Sequence, residues 1–217
     1  MIKLGAAIAV VTSLVSVPAA ATTISGDVTG GSALTSGGTF VKLTVPLTNP
    51  FGPPDSVGND NFQSPNLFAF DEAQNVLLAD PLAVDVGPSP IAAGTTVSSQ
   101  YVFFDPGPSE DVIGVVNFDA DILGIMTSTG SLAASDFLGN PGVNYLNPGL
   151  RGLEAGDSVT ISGARQILFD TTASSPGDYV RVVTAFSPSV ETPVPEPATV
   201  ALVGSGALLI LRRRRSK

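Results

Sequence analysis

Phe40-Val41-Lys42-Leu43-Thr44-Val45 alternates apolar and polar side chains. A period of two places Val41, Leu43 and Val45 on one face of an extended chain, as in a half-buried strand. Similar runs, rich in β-branched and aromatic residues, follow at 67–70, 95–104, 112–118, 122–127, 158–161, 166–169 and 179–186. Gly and Pro punctuate them in clusters such as Asn49-Pro50-Phe51-Gly52-Pro53-Pro54-Asp55, Asp105-Pro106-Gly107-Pro108 and Ser174-Ser175-Pro176-Gly177-Asp178, which read as turns. Helical three-four spacing is weak, and one helix is expected at 131–137, entered from Gly130. Many short strands between turns predict an all-β fold, a single β-sandwich of Ig-like or jelly-roll-like type, with 112–116 among its interior strands.

Outward from these strands, composition narrows the chemistry. The chain has 217 residues, without cysteine or histidine. Disulfides, thiolate metal sites and cysteine nucleophiles are thereby excluded, as is any Ser-His-Asp triad. Six of the ten basic residues lie at the two ends: Lys3, Arg212 to Arg215 and Lys217. Between residues 22 and 192, four basic side chains face eighteen carboxylates, a net charge of −14. Such a surface repels phosphates and anionic headgroups, so nucleic acid is not an expected partner. It suits a cation-rich extracellular setting, and it also keeps a secreted protein soluble.

Both ends carry targeting patterns. Lys3 precedes an uncharged apolar run from Leu4 to Val17 and then Pro18-Ala19-Ala20-Ala21. The small residues Ala19 and Ala21 fit the subsites of signal peptidase, and cleavage after Ala21 is expected, making residues 1–21 a signal peptide. At the other end Val194-Pro195-Glu196-Pro197 is followed by an uncharged run from Ala198 to Leu211 and by Arg212-Arg213-Arg214-Arg215. An apolar helix over 198–211 with a basic end at 212–217 would halt translocation with the arginines in the cytoplasm, leaving Pro195, Glu196 and Pro197 just outside the membrane. Fourteen residues at about 1.5 Å each reach roughly 21 Å against about 30 Å of hydrocarbon, a poor permanent anchor. The expected organisation is therefore a domain over 22–186, a stiff Pro-rich spacer over 187–194 and a tail over 194–217.

Pro195-Glu196-Pro197, the apolar run and the terminal arginines together resemble the PEP-CTERM sorting signal of Gram-negative bacteria. The resemblance covers about the last 24 residues. It implies recognition of the tail by an exosortase, an integral membrane cysteine protease, after a transient membrane-anchored stage. It also implies an association with exopolysaccharide and biofilm. No Leu-Pro-x-Thr-Gly occurs, which disfavours ordinary sortase attachment.

Candidate chemistry in the central region is sparse. Asn117, Asp119 and Asp121 lie at i, i+2 and i+4, so a strand running through them would project three oxygen-bearing side chains from one face, a fragment of a calcium shell that takes six to eight oxygens. The alternative is a solvated strand end. Asn59-Asp60-Asn61 and Glu110-Asp111 are further donors in turn-like sequence, where such side chains commonly cap their own backbone. Asn140-Pro141-Gly142 and Asn147-Pro148-Gly149 bracket Tyr145, either as a binding loop or, more simply, as two turns around a short buried strand. Arg165 and Asp170 are expected to form an exposed pair. Carboxylate pairs could serve a glycoside hydrolase, which needs no histidine, but the absence of tryptophan weighs against a sugar-cleaving cleft. The expected function is a non-enzymatic envelope or matrix component without a cofactor. Alternatives are a carbohydrate- or calcium-binding adhesin module and, more weakly, a carboxylate glycosidase.

Overall fold

A computed structural model describes residues 22–186. The expected signal peptide with Ala19 and Ala21, the spacer, and the tail with Pro195, Glu196, Pro197 and Arg212 to Arg215 lie outside the described residues. In chain order the elements are β1 (Thr23–Gly30), α1 (Gly31–Thr35), β2 (Phe40–Lys42), β3 (Ser56–Val57), β4 (Leu67–Asp71), β5 (Val76–Leu77) and β6 (Thr96–Phe104). They continue with β7 (Glu110–Phe118), β8 (Ile122–Met126), α2 (Thr129–Ala134), β9 (Asn144–Tyr145), β10 (Ser158–Gly163), β11 (Gln166–Ala173) and β12 (Asp178–Ala185).

The strands form two main sheets. One is four-stranded and antiparallel, in the order β1-β7-β11-β10; the other runs β2-β4-β6-β12-β8, with β5 added along β6. Within the second, β2 and β4 are parallel and the remaining pairs antiparallel. A short parallel pair, β3 with β9, joins two of the loops. The mostly β architecture expected from the alternating runs is present. The opening stretch behaves as its period predicts: Val41, Leu43 and Val45 pack against a buried cluster while Lys42 and Thr44 are exposed. The alternation outlasts the three-residue strand, because Leu43 still donates its N–H to the Ala69 carbonyl (2.8 Å).

Two cores result. Val28, Val112, Val116, Phe118, Ile167 and Phe169 of the four-stranded sheet meet Leu67, Ala69, Val102, Phe104, Val180 and Val182 of the other. The opposite face of the second sheet presents Phe68, Phe70, Tyr101, Phe103, Tyr179 and Val183 to a layer of loops that contributes Phe62, Leu78, Leu82, Ile91, Leu132 and Leu138. Phe68, Phe103 and Tyr179 lie opposite one another on neighbouring strands and stack at 5.2 and 5.4 Å, the offset geometry that aromatic quadrupoles favour. β6 and β12 are therefore buried on both faces along nearly their whole length.

Residues 112–116 lie, as expected, in an interior strand. β7 is interior by pairing, between β1 and β11, but its burial alternates, with Ile113, Val115 and Asn117 only partly covered. The doubly buried strands are β6 and β12. The helix expected at 131–137 is α2 followed by a 3-10 turn at Asp136–Leu138. It begins earlier, because the Ser128 hydroxyl accepts from the Ser131 N–H as N-cap; a side-chain oxygen there satisfies a donor that the first turn leaves orphaned. The Gly114 Cα leaves room for Leu67, since a Cβ at that position would lie 2.7 Å from the Leu67 Cδ2.

Candidate functional site

Three places in the described residues gather chemistry, the first being the turn between β7 and β8. β7 ends at Phe118 and β8 starts at Ile122, so the chain bends at Asp119 and no single strand face carries Asn117, Asp119 and Asp121 together. Asn117 Oδ1 accepts from Gln166 Nε2 (2.9 Å) and its Nδ2 donates to Ser25 Oγ (3.2 Å). Asp119 Oδ1 accepts from the Thr22 N–H (2.9 Å). Asp121 Oδ1 accepts from Arg165 Nε (2.8 Å) in an exposed ion pair, so Arg165 pairs across the turn with Asp121 instead of with Asp170. The Ala185 N–H, at the end of β12, donates to the Asp121 carbonyl (2.8 Å). Both ends of the described chain thus fasten to this one turn. Thr22 is held further by its hydroxyl to Asp71 Oδ2 (2.8 Å), and Asp71 is paired with Lys42 (2.9 Å).

The second place is a buried polar network on the loop-covered face of the larger sheet. Arg181 follows from its register: it stands opposite Tyr101 of β6 and Met126 of β8 on the face that carries Tyr179 and Val183. It is wholly buried and forks onto Glu72, Nε to Oε2 at 2.6 Å and Nη2 to Oε1 at 2.9 Å. Its Nη1 donates to the Leu132 carbonyl (3.0 Å) and Ser135 Oγ (2.7 Å). Glu72 also accepts from the hydroxyls of Tyr145 (2.6 Å) and Ser99. Arg151, equally buried, donates twice to Asp136, at 2.9 and 2.8 Å. The Arg181 guanidinium lies 5.6 Å from the Tyr101 ring centroid and 5.7 Å from that of Tyr145, a cation–π arrangement. Burial disfavours the Arg181 charge, but the Glu72 carboxylate outweighs it and raises the pKa. Asp136 is pulled below the usual carboxylate range, its own burial being overcome by Arg151 and Arg181. The two arginines balance the two carboxylates, and nearly every polar atom has a partner inside the network. It binds the 72 loop, α2 and the 136–151 segment to the sheet, which is a structural task. Tyr145 packs here, as the simpler reading of its bracketing turns expects.

The third place is the opposite end of β12, where the 174–177 turn enters the strand. Asp178 is buried, opposite Phe104 at the end of β6. Its Oδ2 is shut off from solvent and lies close to the equally buried Thr171 hydroxyl, which favours the charged carboxylate. Burial, reinforced by Asp157 and Glu154 and opposed by Thr171, pushes Asp178 up to about 7. On the other side of the turn Ser175 Oγ donates to Asp60 Oδ2 (2.6 Å), and Asp105 Oδ2 accepts from the Phe62 N–H (3.0 Å). Asp60 Oδ1 and Asp105 Oδ1 are buried without partners. Burial raises Asp105 to about 6, against the Phe62 N–H and with Asp60 adding to it. A small cavity of about 20 Å3 opens beside the turn, lined by Glu154, Asp178, Gly152 and residues 172–177.

Sequence reading passed over this end because Asp178 reads as an ordinary turn residue. A separate groove of about 470 Å3 between residues 78–83 and α2 carries the exposed Phe137 and one carboxylate, Asp80. Among the described residues no three acidic side chains converge as a ready-made metal shell, and no helix is long and apolar enough to cross a membrane.

Comparison with known proteins bears on the tail. Residues 193–215 match the family model described as the PEP-CTERM protein-sorting motif. No curated protein and no solved structure matches the chain.

Proposed function

From a chain that carries a PEP-CTERM sorting motif, and is therefore an exported protein handled by an exosortase, we propose that the described domain is a non-enzymatic component of the cell surface or extracellular matrix, associated with exopolysaccharide or biofilm. Its function is placement. The observation that carries this reading is the motif at residues 193–215, which lies just beyond the last strand and whose order of tripeptide, apolar run and arginines suits transient membrane anchoring followed by processing. The signal peptide over 1–21, with removal by signal peptidase after Ala21, belongs to the same proposal. So does the Pro-rich spacer that would hold the domain off the membrane.

The gathering of both described ends at the 118–122 turn supports this display geometry. β12 runs from Asp178 to Ala185, roughly 23 Å at about 3.3 Å per residue, so the carboxylate-rich turn at its start stands at the far end of the strand from Phe186, the last described residue before the tail in sequence. The domain would present that acidic end outward. Intact-mass analysis and fractionation of the native protein from cells with and without their exosortase test the proposal. Loss of both termini, with the C-terminal loss depending on that enzyme, is the expected result. Retention of Arg212 to Lys217 in the membrane fraction of normal cells would overturn it.

A further inference from the structure

Resting on the cleavage after Ala21 proposed above, we propose that Asp119 is the binding site for the α-ammonium group which that cleavage creates on Thr22, so that processing completes the fold.

The start of the domain is held from three directions. Thr22 donates its N–H to Asp119 Oδ1 (2.9 Å), and its carbonyl accepts from the Asp119 N–H (3.1 Å). Its hydroxyl donates to Asp71 Oδ2 (2.8 Å) and accepts from Lys42 Nζ. The next residue is gripped as well. The Thr23 N–H donates to Asp71 Oδ1 (3.0 Å), its carbonyl accepts from Lys42 Nζ (2.9 Å), and the residue is buried opposite Phe118. β2 thus acts through Lys42, β4 through Asp71 and the β7–β8 turn through Asp119. Independently of this geometry, the small residues Ala19 and Ala21 place the cut immediately before Thr22. The residue that the cut would make first is one that three separate elements already hold.

Cleavage changes what Asp119 meets. In the precursor the Thr22 nitrogen belongs to a peptide bond and offers one N–H and no charge. In the mature chain it is an ammonium with three N–H donors and a unit positive charge. The contact at 2.9 Å then becomes an ion pair at hydrogen-bond distance. The new cation joins Lys42 in a cluster that holds the carboxylates of Asp71 and Asp119. Thr22 is only half-buried, so solvent screens the pair and its contribution is modest. A chain that still carries its leader lacks this attraction, and therefore folds less firmly before release than after it.

The test uses the chain from Thr22 to Lys217, freed from a fusion so that Thr22 is its first residue, beside the same chain lengthened by Ala21, each with and without Asp119→Asn. The extension moves the ammonium by about 3.8 Å and returns a neutral amide to Asp119. Thermal melting at pH 7 should place the Thr22 chain about 2–4 °C above the extended one. Asp119→Asn keeps an oxygen acceptor without the charge, and should erase that difference. Amine-reactive labelling of the α-amino group, read by peptide mass, should be severalfold slower in the Thr22 chain, because a neighbouring carboxylate keeps the amine protonated. That comparison stands even if Asp119→Asn fails to fold. Equal melting and labelling of the two chains would overturn the proposal, as would a difference that Asp119→Asn leaves intact. Sequencing the N-terminus of the native protein tests the cleavage separately: a first residue other than Thr22 overturns the premise, whereas Thr22 without a melting difference overturns the role of Asp119 alone.

Discussion

Arg181 shows how a single residue can fasten two layers. Its guanidinium is fully buried with Glu72 as counter-ion, so removing it leaves a carboxylate in a dry interior with only the Tyr145 and Ser99 hydroxyls for company. Arg181→Met should cost about 3–5 kcal/mol in urea unfolding. Replacing Glu72 with Leu in the same chain should return part of that loss, since no unpaired charge then remains; a double-mutant cycle reads the difference. The two raised carboxyls act differently. Asp178, near Asp157 and Glu154, and Asp105, near Asp60, hold protons in the fold that they release when unfolded at the same pH. The native state then binds more protons than the unfolded state between about pH 4 and 7, so stability must fall as pH rises through that window, by up to about 1.4 kcal/mol per pH unit for each group. Melting curves from pH 4 to 8 should show the decline, and Asp178→Asn should flatten its upper half. Below about pH 4 the sign reverses, because Asp85, Asp111 and Asp136 have lowered pKa values and lose their bonds on protonation.

At the scale of the element, α2 is a helix of six residues, too short to stand by its own propensity. Asp85 secures its start from another loop, accepting from the N–H groups of Thr127 (2.6 Å) and Ser128 (2.8 Å) and from the Ser131 hydroxyl. Those bonds, outweighing partial burial, hold the Asp85 carboxyl below its usual range. Asp85→Ala should cost about 1–2 kcal/mol and speed exchange of the Leu132 and Ser135 amides, whose bonds to Ser128 and Ser131 close the first turns. Most strands were legible because a half-buried strand writes its period into the sequence: β4, β7, β8 and β10 start within a few residues of where alternation and turn chemistry place them. β1 was not. Its sequence, Thr-Ile-Ser-Gly-Asp-Val-Thr-Gly, lacks an apolar alternation, and it is a strand because β7 offers it an unpaired edge. The burial of β6 on both faces was equally hidden, since its polar residues fall on both: Ser99 shares the loop-covered face with Tyr101 and Phe103, and Ser98 and Gln100 share the inter-sheet face with Val102 and Phe104. The acidic end went unread because Asp178 falls on the inter-sheet face with Val180 and Val182. Asp178 looks like a turn aspartate, and only its pairing with Phe104 inside the covered sheet takes it out of water. Nor could spacing alone reveal that the chain turns at Asp119.

The whole molecule carries its charge unevenly. All four basic side chains of the described residues are in ion pairs, with Asp71, Asp136, Asp121 and Glu72, so the remaining carboxylates repel one another without compensation. Screening should therefore stabilise the fold: raising sodium chloride from about 10 to 150 mM shortens the Debye length from about 30 to 8 Å, and Tm should rise by a few degrees. A Tm that falls over this range would mean that the ion pairs outweigh the repulsion.

The position of β12 has a mechanical consequence. This strand leads toward the tail, is hydrogen-bonded on both sides, and pairs in unbroken register with β6 from Asp178 to Ala185. A pull entering at Phe186 and leaving through Asp105, at the opposite end of β6, runs along both strands and perpendicular to their rungs, so the rungs bear the load together instead of parting one by one. Single-molecule stretching in that direction should meet a high, single rupture peak. Stretching between Thr22 and Phe186, which both leave from the same turn, should peel the sandwich open at markedly lower force.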